Sequence, residues 1–195
     1  YSNVSANPRD YEVHLGADLY KAEGADVVIA LGGGSPMDMA KGVATVVSNG
    51  GTIQDYEGAN LITSPLPPMI FLPSTAGSGS DISQFAIITD VGRKVKMSLI
   101  SRSLTPNVSI IDPELLSTVD DDLLISSAVD ALAHAVESYV SLIAHTLTET
   151  QALKAIHLIL ENMQPALKTR NPNALEFLSI AATAAGMSFS NASLG

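Results

Sequence analysis

Asp130 and His134 lie one helical turn apart, and their spacing is the clearest sign of chemistry in the sequence. On a helical wheel they fall about 40° apart, on a narrow polar stripe, while the rest of the wheel is apolar over about 180°. Because so apolar a helix is mostly buried, we expect the stripe to line a cavity. Both side chains can reach one divalent metal ion, and nitrogen and oxygen ligands without thiolate suit iron(II), zinc or manganese. A solvated pair with an i,i+4 hydrogen bond is the alternative.

A glycine-rich turn at Gly32–Ser35 is the second signal. It lies between the β-branched run Asp26–Leu31 and a helix that opens at Pro36, where free N–H groups and the helix dipole favour a phosphate or pyrophosphate. The pattern matches neither the dinucleotide nor the P-loop fingerprint, and tight packing alone is the alternative. Asp38 is interpreted as complementing the helix dipole and pairing with Ser35 as in a capping box.

A second loop, PSTAGSGS at 73–80, follows another buried strand at Met69–Leu72. Its hydroxyls and small residues suit a close approach of backbone to ligand. Ligands of open α/β sheets bind beyond the carboxyl ends of the strands, so we expect both loops to face one cofactor. A flexible, serine-rich surface loop is the alternative.

The elements that must position these residues change in character near Asp112. Before it, helical and β-branched segments alternate: a helix with Asn7 as N-cap runs to Glu23, and a hairpin is predicted around the turn at 90–93. Beyond Pro113 come three long helical patterns, around Asp121–Ser141, Thr148–Leu167 and Asn173–Ala192. We predict an α/β domain over residues 1–112 and an all-helical domain over 113–195.

Composition narrows the function further. The 195 residues include ten basic and twenty acidic side chains, a formal charge of −10, which excludes a broad basic surface for nucleic acid or anionic lipid. There is no cysteine, hence neither a disulfide nor a thiolate metal site. No uninterrupted apolar run approaches the roughly 18 residues that span a bilayer. The remaining histidines, His14, His145 and His157, are interpreted as surface or packing residues.

Five motifs, in this order, resemble the iron-containing (group III) alcohol dehydrogenases. They are GGGSPMD at 32–38 with Ala40-Lys41, PSTAGSGS at 73–80, IDPEL at 111–115, DALAHAVE at 130–137 and GMSFSNASLG at 186–195. The resemblance runs from about Asn3 to the last residue. It implies a dehydroquinate-synthase-like fold, in which an α/β nucleotide-binding domain is followed by an all-α domain and NAD(P) and metal meet between them.

The resemblance also implies roles for single residues. Asp130 and His134 match two of the family's metal ligands. The positions that match cofactor contacts are Gly33, Gly34, Ser35, Asp38, Ser74, Thr75, Ser78, Ser83, Lys96 and Leu116. Ser78 and Asp81 stand where threonine and glutamate are commoner in the family.

The family's other two histidine ligands would follow Gly195, and the strand–helix unit that discriminates NAD from NADP would precede Tyr1. We therefore expect a central fragment of the full-length chain, truncated at both ends, that binds metal weakly and turns over little by itself.

These implications predict an oxidoreductase that interconverts a small primary alcohol and its aldehyde by hydride transfer. The reaction would use NAD or NADP and Fe(II), with Zn as the alternative metal, and Asp130 and His134 would be the catalytic ligands. A non-catalytic nucleotide-binding fragment is one alternative, and a relative like glycerol dehydrogenase or dehydroquinate synthase is another. We expect a cytoplasmic protein that forms a homodimer and binds neither nucleic acid nor membrane.

Overall fold

A computed structural model describes residues 1–194, so Gly195, the last residue of the fifth motif, lies outside the described residues. Contacts divide the chain into two compact units. The first, here the sheet unit, comprises Tyr1–Phe71 and Gln84–Ser109. The second, the helical unit, comprises Leu72–Ser83 and the described residues from Ile110 onward. The domain bounds at 112 and 113 stay a prediction, and the contacts add that the second loop groups with the helices.

The sheet unit contains two helices and two small three-stranded sheets. Its elements are α1 (Asp10–Ala22), β1 (Val28–Gly32), α2 (Gly34–Asn49), β2 (Gly58–Ala59), β3 (Met69–Pro73, whose end enters the helical unit), β4 (Phe85–Asp90), β5 (Val95–Ile100) and β6 (Val108–Ser109). One sheet has the order β1-β3-β6 with β3 and β6 parallel. The other has the order β2-β5-β4, and its β4–β5 ladder is the predicted hairpin.

Buried and exposed side chains alternate along the hairpin, and the buried ones form part of the core of the sheet unit. Ala86, Ile88, Met97 and Leu99 point inward and are fully buried in a cluster with side chains of α1 and α2. The residues between them are more exposed, as the period of two in a half-buried antiparallel pair requires.

The predicted start of α1 is wrong by two residues. The N-cap is Arg9, and its backbone N–H donates to the carboxylate of Glu12 at 2.9 Å. Asn7 has a left-handed backbone with φ 57°, and the carbonyl of Pro8 accepts a hydrogen bond from Thr89 N–H at 2.7 Å. The segment before α1 is thus used to pair with β4, a long-range contact that local cap preferences do not encode.

The helical unit is built from α3 (Asp121–Val140), α4 (Thr146–Thr169) and α5 (Pro172–Ala192), which confirms the three predicted helices. Asp120 and Asn171 cap α3 and α5 by accepting hydrogen bonds from Leu123 N–H and Ala174 N–H at 2.8 and 3.1 Å. The shared core is rich in alanine, which lets the helices approach one another closely.

α3 is also apolar enough, by length and composition, to cross a membrane. One such helix is weak evidence, because a core helix of a soluble protein satisfies the same criteria. α3 packs along α4 and α5 through Leu124, Ala128, Ala131 and Ala135.

A charged cluster holds the turn of the β4–β5 hairpin. Asp90 accepts hydrogen bonds from the backbone N–H of Arg93 at 2.8 Å and from its Nε at 2.6 Å. The guanidinium also reaches Glu57 at 2.7 Å. The hydrogen bonds from Arg93, backbone first and then side chain, lower the pKa of Asp90.

We predict that Asp90→Asn destabilises the sheet unit in a pH-dependent way. A folded-state pKa below the unfolded value of about 3.9 stabilises the fold above that pH, and the contribution is lost as pH falls through the folded pKa. Thermal unfolding is measured from pH 7 to pH 3. The variant should have a lower midpoint than the unmodified protein at pH 7, and the difference between the two midpoints should narrow below about pH 4. The exposed Asp18→Asn is the control, and a gap independent of pH would contradict the prediction.

Candidate functional site

Asp130 and His134 lie on α3 with their side chains toward each other. Asp130 Oδ1 and His134 Nε2 are 3.7 Å apart, beyond hydrogen-bond distance, so one ion can contact both atoms. The Asp130 side chain is 50% exposed and that of His134 19%. The structure therefore brings the two predicted ligands together on one face of α3.

The expectation that α3 is largely buried is wrong for the part of the chain that the structure describes. Its buried face is a narrow stripe of mostly small residues, and Val129, Val136 and Val140 remain exposed. Hydrophobic periodicity predicts that the apolar surface of α3 is buried, but it does not specify which element packs against it. In this structure α4 and α5 pack against only one side of α3.

The imidazole of His134 packs against a second aromatic ring. The ring centroids of His134 and Phe189, on α5, are 4.8 Å apart, and the planes are tilted by 50°. His134 Nδ1 is buried and has no hydrogen-bond partner among residues 1–194.

The second loop forms a tight turn that packs against the helices. The backbone N–H groups of Ile82 and Ser83 donate to the carbonyl of Gly79 at 3.1 and 3.0 Å, and Ser80 N–H donates to Ser78 Oγ at 3.3 Å. Among the predicted cofactor residues, Ser83 is buried, whereas Ser74, Thr75 and Ser78 keep part of their surface exposed.

Two glycines fix this loop where a side chain would not fit. Gly79 has φ +61°, and a Cβ there would lie 2.8 Å from the Cα of Gly186 on α5. A Cβ on Gly77 would lie 2.8 Å from the carbonyl oxygen of Ser127 on α3. The geometry favours a fixed turn over a flexible surface loop.

The first glycine turn leads directly into α2. Gly33 is the N-cap, and no side chain among the described residues caps the helix. Ser35 Oγ accepts a hydrogen bond from the backbone N–H of Asn7 at 3.2 Å. Gly33, Gly34 and Ser35 thus lie at a helix N-terminus with backbone N–H groups suited to an anion.

The capping-box interpretation of Ser35 and Asp38 is wrong. With Gly33 as N-cap, Asp38 falls in the second turn, beyond the position from which a side chain caps. Its Oδ2 instead accepts a hydrogen bond from Ile87 N–H at 3.1 Å, and the buried Lys41 donates from Nζ to the carbonyl of Phe85 at 2.8 Å. Both side chains tether α2 to β4.

The last two predicted cofactor residues have different surroundings. Lys96 is exposed on β5, paired with Thr89, so its ammonium group is accessible to a ligand. Leu116 is buried in the core of the helical unit. Its side chain therefore acts through packing.

The sequence interpretation assigned no role to Lys41 or Phe189. The sequence around Lys41 could have indicated its role, because a lone cation in a helix of small apolar residues needs a buried partner. The indication for Phe189 is weaker: it is a large aromatic ring in a segment of α5 rich in alanine, serine and glycine.

Comparison with known proteins identifies the family. The family model for iron-containing alcohol dehydrogenase matches residues 1–113, and that for the C-terminal part of the Fe-containing alcohol dehydrogenase family matches residues 124–195. The chain therefore belongs to the iron-containing alcohol dehydrogenase family.

Similar proteins include the NAD-dependent methanol dehydrogenase of Bacillus methanolicus, 39% identical, and the 1,3-propanediol dehydrogenase of Citrobacter freundii, 36% identical. Each alignment covers 100% of this chain and 51% of the relative. The chain thus spans about half the length of these curated relatives.

Solved structures agree with the fold. A 1,3-propanediol oxidoreductase superposes with a TM-score of 0.98 at 36% identity, over 100% of this chain and 51% of the other. Sulfoacetaldehyde reductase from Bifidobacterium kashiwanohense, in complex with NAD+, gives a TM-score of 0.91 at 29% identity, over 100% and 52%.

We predict that Gly79→Ala is more destabilising than Gly24→Ala. Both glycines have φ +61°, so both variants lose the roughly 1–2 kcal/mol of a left-handed L-residue. Only Gly79 also faces a backbone atom within 3 Å, whereas a Cβ on Gly24 meets nothing within 4 Å. The free energy of unfolding in urea should fall further for Gly79→Ala, and equal losses would show that the loop is free to move.

Proposed function

We propose that the whole protein is an NAD(P)-dependent, metal-assisted dehydrogenase that interconverts a small primary alcohol and its aldehyde. The observation that carries the proposal is the carboxylate–imidazole pair on α3, with Asp130 Oδ1 and His134 Nε2 3.7 Å apart. The same unit holds the second loop, whose hydroxyls remain partly exposed. The names of the relatives, methanol and 1,3-propanediol dehydrogenases, support this substrate class.

The donor set fits a divalent metal. One carboxylate and one imidazole suit iron(II) or zinc, and we propose iron because the family is named for it. Within residues 1–194 no group of three or more histidine, cysteine, aspartate or glutamate side chains could hold the ion. We propose that this part of the chain contributes the two ligands Asp130 and His134. When bound, the metal supplies Lewis-acid polarisation of the substrate oxygen and the nicotinamide exchanges the hydride.

The residues of this chain bind and orient these groups. Asp130 contributes negative charge and His134 a neutral nitrogen donor. We propose that the N–H groups at Gly34 and Ser35 bind cofactor phosphate, and that Thr75 and Ser78 donate hydrogen bonds to the cofactor. The contacts of Asp38 make it a residue that positions α2 on β4.

The choice of cofactor, the arrangement of the domains, the location and the oligomeric state are also proposals. We propose NAD as the cofactor, since the Bacillus methanolicus relative is named for it. We also propose a dehydroquinate-synthase-like arrangement of the two domains and a cytoplasmic location. A homodimer is proposed as well.

The test removes the two ligands in the whole protein. We expect Asp130→Asn and His134→Ala to lose bound iron and to lower kcat/KM for alcohol oxidation more than about 100-fold, because the metal contributes several kcal/mol to the transition state. Metal analysis and NADH absorbance measure the two effects.

The chain offers a matched control. His157 and Glu161 on α4 form a second histidine–carboxylate pair at i,i+4, 3.2 Å apart and about 60% exposed. His157→Ala should keep both metal and activity. If the whole protein binds NAD but neither ligand variant changes metal content or rate, it is a nucleotide-binding module and the proposal fails.

A further inference from the structure

We propose that Phe189 is a positioning residue for His134, and that its ring sets the plane of the imidazole so that Nε2 faces Asp130. This inference rests on the proposed function, because it concerns the same metal ligand. It adds a residue on α5 that touches the ligand itself.

The second ring nitrogen of His134, Nδ1, does not fix the orientation of the imidazole. A metal-binding histidine ordinarily donates its other ring N–H to a carboxylate, carbonyl or water, and that hydrogen bond fixes the ring. Here Nδ1 is buried without a hydrogen-bond partner within residues 1–194. The imidazole torsion is intrinsically broad, so packing must orient the ring. The tilted contact with Phe189, at 4.8 Å between centroids, provides that packing.

The ring of Phe189 also contacts the second loop. Its Cε1 and Cζ would lie 3.1 and 3.3 Å from a Cβ on Gly79, so the ring lies directly beside the backbone of the second loop. The same aromatic ring therefore contacts a metal ligand and the turn that carries Ser78. Gly79 leaves the space that the ring occupies.

The part of α5 around Phe189 is anchored to α3 and α4. The neighbouring Ser188 hydroxyl is buried, 2.8 Å from Ser138 Oγ on α3 and 2.9 Å from the carbonyl of Thr148 on α4. Near the end of α5 the carbonyl of Ala192 accepts a hydrogen bond from Ser141 Oγ. These contacts join α5 to α3 and α4 close to Phe189, so the position of its ring is defined by the helical packing.

Phe189→Leu in the whole protein tests the proposal, because it keeps an apolar side chain and removes the flat ring. We expect its affinity for Co²⁺, measured by chelator competition, to fall about 10-fold, as for other groups that orient a ligand. The visible absorption of bound Co²⁺ should also change, since it reports ligand geometry. Phe177→Leu, at a partly exposed phenylalanine of the same helix, should change neither.

A double-mutant cycle with His134→Ala separates positioning from general destabilisation. If Phe189 acts through His134, Phe189→Leu should cause no further loss of Co²⁺ affinity in the His134→Ala background. An equal loss in both backgrounds, or none in the presence of His134, would overturn the inference. If His134→Ala itself leaves Co²⁺ affinity unchanged, the proposed function fails, which is a distinguishable result. Phe189→Met serves the same cycle if the leucine variant does not fold.

Discussion

The backbone contact between Gly79 and Gly186 is the constraint on which the candidate site depends. A single methyl group on either glycine would meet atoms within about 3 Å, so the second loop and α5 can approach each other only without side chains. This approach brings the turn of Ser78 against Phe189, and Phe189 against His134. The position of the proposed cofactor-binding turn and the orientation of the proposed metal ligand thus depend on the same packing contact, which explains why the second loop groups with the helices.

The sheet unit uses buried charge in a comparable structural way. Asp38 and Lys41 lie on α2 among small apolar side chains, and each bonds a backbone group of β4. Such groups are costly to bury unless they are hydrogen-bonded, so α2 and β4 have one favourable register. The glycine turn at the start of α2 is therefore held in place by contacts made within the following turns of the helix.

The sequence predicted what local patterns encode and missed what distant contacts decide. The hairpin around Asp90 and the three long helices were predicted close to their observed ends, because periodicity and turn residues are local signals. The start of α1 was misplaced because Thr89 pairs with the segment before it. The partner of Asp38 lies 49 residues away, and no spacing rule connects them. The role of Phe189 likewise arises only once α5 packs beside α3.

Two histidine–carboxylate pairs in the helical unit show why spacing alone does not define a metal site. The pair on α4, His157 and Glu161, has the same i,i+4 separation and a shorter distance, 3.2 Å, yet both side chains are mostly in solvent. The imidazole of His134 instead has one buried nitrogen and an aromatic neighbour. Solvated side chains lose rotamer entropy when an ion orders them, whereas a packed imidazole has already lost it during folding. The surroundings of His134, more than its distance from Asp130, therefore favour α3 over α4 for the proposed ion.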